Sequence, residues 1–204
     1  MRAWVFEPSA QGWVAHLGAE ERAALVDVVD DVVELLAGAG GPREPGPAGE
    51  DDPLPPGGFG EPVAAPTDPA LLRLLPDASR STPEVAAEFR RLTEQELRAT
   101  KAGHLARLRA ALAAAGDAVV IAPEDGPAVA AALTDLRLVV SARLGIRTAD
   151  DAEAMYRLAV ESTPLDMADD DAIARRFGAI VVALLGALLD SLVTLMLDQG
   201  ADQG

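Results

Sequence analysis

The chain opens on short alternating runs. Residues 3–7 and 13–17 include Trp4, Phe6 and Trp13, and they flank the turn-forming segment Pro-Ser-Ala-Gln-Gly. Aromatic and β-branched residues alternating on both sides of such a turn predict a β-hairpin. From about 19 to 37 the period lengthens. Leu25, Val28, Val29, Val32, Leu35 and Leu36 recur at three- and four-residue steps, with Asp27, Asp30, Asp31 and Glu34 between them, which predicts an amphipathic helix. Glu20 and Glu21 fall in its first turn, where the helix dipole favours negative charge, and the glycines after Ala37 end it.

Residues 38–66 lose this periodicity. They are rich in Gly and Pro and hold five acidic residues against one Arg. Pro removes amide donors and Gly raises the entropic cost of order, so a disordered acidic insert is expected. No pattern supports a linear motif around Leu54 or Phe59. Helical signals then return. Asp68 caps, Pro69 opens and Pro76 stops a two-turn helix. A long helix is predicted over 83–115, capped by Ser81 or Thr82 and ended by Gly116. Gly103 inside it costs only about 1 kcal/mol relative to Ala. The β-branched run at 118–121 is too short for a helix and predicts a third strand beside the hairpin. Helices follow over 127–144, 149–161 and 170–197.

The expected fold class is mainly α: a helical bundle around the apolar C-terminal helix, with a small N-terminal β-hairpin plus one short strand. Residues 1–37 and 67–204 form a single helical domain in this reading, and 38–66 are the insert. The expected core comprises Leu25, Val29, Val32, Leu36, Phe89, Leu92, Leu133, Leu136, Val140, Ile180, Leu184, Leu188 and Leu192.

Composition narrows the function classes. The 204 residues carry 17 Lys+Arg against 33 Asp+Glu, a net charge of −16, and no Cys. A disulfide scaffold, a thiol nucleophile and a Cys-ligated metal are therefore excluded. A pI near 4.4 argues against general nucleic-acid binding, where neutralised phosphates supply most of the affinity. The 41 Ala residues and the ratio of 16 Arg to one Lys read as the mark of a GC-rich genome. The basic and long apolar regions of a secretory signal are missing at the start, so the expected location is cytoplasmic.

Two segments qualify this picture. Residues 177–197 form a 21-residue stretch whose only charge is Asp190. That length suits a membrane span, with Arg175 and Arg176 as its flank. A central charge, however, costs about 2.5–3.5 kcal/mol on insertion scales. Asp190, Thr194 and Asp198 share one helical face that Ala179, Ala183, Gly186 and Ala187 continue. A central helix of a soluble bundle is therefore preferred over a tail anchor or an intersubunit helix. Asp190 is then a buried polar candidate, paired with Arg137 or an Arg of the long helix.

The long helix holds the second segment. Arg90, Arg91, Arg98, Lys101, Arg107 and Arg109 are six of the 17 basic residues. Arg90, Arg91, Arg98 and Lys101 are the candidate face for a partner or an anion. The competing reading is structural, with Glu94–Arg98 and Glu88–Arg91 pairs along the helix and docking onto the acidic first helix. A helix–turn–helix-like hairpin at 131–161 is the third candidate, but its second helix opens on Asp150, Asp151 and Glu153, the wrong sign for a phosphate-lined groove. His16 and His104 fit no metal-ligand spacing, and Asp169, Asp170 and Asp171 read as a helix start rather than a calcium loop. No catalytic residue, metal or cofactor is expected, and the chain reads as a non-enzyme.

The blocks "DPALLRLLPDA", "EFRRLTEQELRATK" and "ALTDLRLVVSARLGI", followed by the apolar terminal helix, resemble the actinobacterial domain-of-unknown-function family DUF2017. The resemblance covers nearly the whole chain except 38–66. The family has no established activity, so it transfers no catalytic residue. Its members often lie beside the Clp protease adaptor ClpS and an MPN-type metalloprotease of a sulfur-carrier pathway, which implies a role in proteostasis or sulfur metabolism. Together these readings lead to a non-enzymatic interaction or regulatory protein. A protein partner is expected, with a homodimer as one form of it, and neither nucleic acid nor membrane is favoured. The alternatives are a DNA-binding regulator using 131–161 and a membrane protein anchored through 177–197.

Overall fold

A computed structural model describes residues 4–38, 65–79, 81–114, 116, 118–161 and 169–201. Most of the expected insert, residues 39–64, lies outside the described residues.

The hairpin forms as β1 (Phe6–Ser9) and β2 (Gly12–His16), and β3 (Ala118–Ile121) joins it in an antiparallel sheet of order β1-β2-β3. Alternation sets the buried face. Phe6, Ala15 and Val119 lie in one cross-strand row and Trp13 and Ile121 in the next, and all five are buried. Gly12 turns the chain at φ +124°, a conformation side chains resist. Pro8 is accommodated because β1 is an edge strand. The Phe6 amide donates to Ser191 Oγ at 2.9 Å, which ties this edge to the C-terminal helix.

Helix α1 (Ala19–Gly38) buries Leu25, Val29, Val32 and Leu36, the stripe its period requires. Helix α2 (Pro69–Leu74) starts where the Asp68 carboxylate accepts from the Ala70 and Leu71 amides. Helix α3 (Pro83–Ala113) is 31 residues long, and Gly103 does not interrupt it. After a single 3₁₀ turn at Pro123–Asp125 comes α4 (Gly126–Arg143), which packs against α1, α2, α3 and α6. It begins on glycine because the Trp13 ring occupies the space a Cβ would take. Helix α5 (Ala149–Val160) opens on a reciprocal cap between Thr148 and Asp151. Helix α6 (Asp170–Ala201) packs against α4, α5 and the hairpin.

One core joins all three strands to α1, α2, α3, α4 and α6, so the chain is mainly α with a small sheet. The expected core is corrected at four positions. Phe89 and Leu92 are exposed, at 52% and 63%. They share a helical face with each other, but no other described element covers that face. Val140 and Ile180 are half-buried, at the margins of the α4 and α6 interfaces.

Candidate functional site

Each cation of the candidate face on α3 is engaged within the chain. Arg90 is buried and donates to the Asp77 carboxylate, to Glu94 at 3.1 Å and to the Leu75 carbonyl. Arg98 pairs with Glu94 at 2.6 Å and donates to the Leu36 carbonyl, an orphan acceptor in the last turn of α1. Glu94 thus clamps the arginines one turn before and one turn after it. Arg91 pairs with Glu88 at 2.7 Å. Lys101 reaches across to Asp135 of α4 at 2.7 Å, and Asp135 is one of two buried charged residues among those described. Further along, Arg109 binds Asp30 of α1 through two nitrogens, at 2.6 and 2.9 Å. Hydrogen bonding from Arg109 lowers the Asp30 pKa below the usual carboxylate value, and Arg91 does the same to Glu88. The sequence predicts the Glu94–Arg98 and Glu88–Arg91 pairs, and both form. The inner side of α3 is therefore a set of internal ties, not an open anion surface.

The opposite side of α3 is different. Val85, Phe89 and Leu92, at i, i+4 and i+7, project from its first half, all more than half exposed. Beside Phe89 a cleft of about 30 Å³ opens between α3 and the Leu75–Ala78 connection, with Leu97 at its other end. Exposed Glu84, Gln95 and Glu96 flank the stripe. The period makes this apolar set legible in the sequence, and its exposure does not follow from the period.

A larger groove of about 530 Å³ lies between α4, α5 and α6. Ala183, Gly186 and Ala187 form its floor, Tyr156 and Ile146 its apolar wall, and Arg137, Ser141 and Asp190 its polar rim. Asp190 is corrected here: it is exposed, not buried. The described elements cover its helix on one side only, and Asp190 is on the other. Neither Asp190 nor Arg137 makes an ion pair with a described residue.

The α4–α5 hairpin keeps Asp150 and Glu153 exposed, and Arg143 is held by Asp68 at 2.7 Å. Burial pushes the Asp68 pKa up, but hydrogen bonds from Arg143 and the Ala70 and Leu71 amides outweigh it and the net shift is downward. The Arg147 and Thr148 amides lower the Asp151 pKa. Among the described residues no group of three or more His, Asp or Glu is placed to hold a metal.

No curated protein and no solved structure matches the chain. The family model described as a domain of unknown function, DUF2017, matches residues 1–196. Over nearly its full length, then, this chain belongs to the DUF2017 family.

Proposed function

We infer that this protein acts by binding another protein and contributes no chemistry of its own. The observation that supports the reading is the exposed stripe of Val85, Phe89 and Leu92 on α3. Large apolar side chains at helical spacing, held out on a helix whose other side is fixed by Arg90 and Arg98, are arranged like the anchors of a helix-in-groove interaction. Ordering costs little there, because the helix is already formed. The flanking Glu84 and Glu96 specify the occupant: a protein with an apolar groove and a basic rim.

A role in regulated proteolysis or sulfur-carrier metabolism is part of the same proposal. It makes the Clp adaptor and the metalloprotease of the family's genome setting the first partners to offer. Against a membrane anchor stands the cost of moving α6. It is long and apolar enough to span a bilayer, yet Val181, Leu184, Leu185, Leu188 and Leu192 on it belong to the shared core. Withdrawing them would open that core.

Affinity capture from a native host with the wild-type chain and with Phe89→Ser/Leu92→Ser tests the reading. The expected result is a protein depleted about tenfold or more by the double substitution, as loss of central apolar anchors produces, and released by salt. Recovery of the same proteins by both chains, or of no specific protein by either, overturns it.

A further inference from the structure

We propose that the groove between α4, α5 and α6 is filled by α6 of a second copy of this chain, in a two-fold symmetric dimer. Only a third of the most apolar 18-residue window of α6 is buried. Ala183, Gly186, Ala187, Asp190, Val193 and Leu197 fall on one side of the helix, and none of them is buried. The small residues let a second helix approach closely. Val193 and Leu197 carry the same stripe beyond the groove. A small molecule in the groove would leave those two uncovered, whereas a helix lying along the stripe covers them.

The charges select the second copy. Trp13 aside, the nearest side chain to Gly126 is Met196, and Leu144 lies against Gly178, so α4 runs antiparallel to α6. This register puts Arg137 level with Leu185. Asp190 is five residues further along, about 7.5 Å at 1.5 Å per residue, and the two make no ion pair within the chain. In an antiparallel α6–α6 pair with its two-fold axis beside Ala187, Asp190 falls level with position 184 of the other copy. It then faces Arg137 of the partner subunit, and symmetry repeats the contact. Two charges that have no ion-pair partner among the described residues of one copy complete each other in two.

The whole chain is suited to the test, because it contains no Cys. Sedimentation equilibrium should give twice 21.1 kDa. Arg137→Asp and Asp190→Arg should each weaken the dimer by about tenfold or more, since each sets like charges against one another twice. The double swap Arg137→Asp/Asp190→Arg should restore it. Ala187→Cys should form a disulfide-linked dimer under mild oxidation, and Leu92→Cys on the α3 stripe should not. Circular dichroism of each variant separates lost folding from lost association. A wild-type monomer at about 100 µM, single variants that associate like the wild type, a folded double swap that stays monomeric, or equal cross-linking at both cysteines overturns the proposal. The α3 reading survives any of these results, because it rests on a different surface.

Discussion

Lys101 and Asp135 show what a single buried charge does in this fold. Asp135 sits between Thr134 and Leu136 on α4, with its side chain 7% exposed and its carboxylate 2.7 Å from the Lys101 ammonium. Removing one partner strands the other in a poorly solvated site. Lys101→Met should therefore cost about 3–5 kcal/mol, read from urea unfolding, and Lys101→Met/Asp135→Leu should recover much of that loss. A single variant as stable as the wild type would show that water solvates the site. The sequence does not flag Asp135, because an acid between polar and apolar neighbours on a helix looks like any solvated one. Asp190 misleads in the opposite direction. A lone charge in a long apolar run reads as buried, but burial depends on which side of the helix finds a neighbour.

The same asymmetry governs whole elements. The three strands and six α-helices of the described residues are legible, because period-2 and period-3.6 patterns are local and many of their ends carry Pro, Gly or a capping residue such as Asp68. A stripe of apolar residues shows which side chains share a face, not whether another element arrives to cover it. On α3 the second half buries Leu105, Leu108 and Leu112, while the first half leaves Phe89 and Leu92 in solvent. Leu105→Ala should accordingly cost about 2–5 kcal/mol. Phe89→Ser should change stability by no more than about 0.5 kcal/mol. Thermal unfolding of the two variants measures the contrast, and equal losses would mean that the first half of α3 is covered in solution. The basic residues of this helix are visible as a cluster and their pairs with Glu88 and Glu94 are local, but the ties to Asp77, Leu36 and Asp135 require the tertiary arrangement.

For the molecule as a whole, charge sets the response to acid. The folded chain holds the pKa values of Asp30, Asp68, Glu88 and Asp151 below their ordinary ones, through Arg109, Arg143 with the α2 amides, Arg91 and the α5 cap respectively. The unfolded chain therefore takes up more protons as pH falls through about 4. Stability from these groups is complete above that range and is lost as pH drops through the lowered folded values. Melting temperature should be level between about pH 6 and 7 and fall below pH 4. A melting temperature that rises on acidification would show that relief of repulsion from the −16 net charge outweighs the lost pairs.

The hydrogen bond between Phe6 and Ser191 spans 185 positions. Translation therefore delivers the capping hydroxyl long after β1 itself. Throughout that interval the nascent hairpin exposes an unpaired backbone edge, the kind of surface on which strands from other chains can add. While those 185 positions are being added the Phe6 amide lacks this partner, and the gap closes only when α6 emerges and Ser191 caps it.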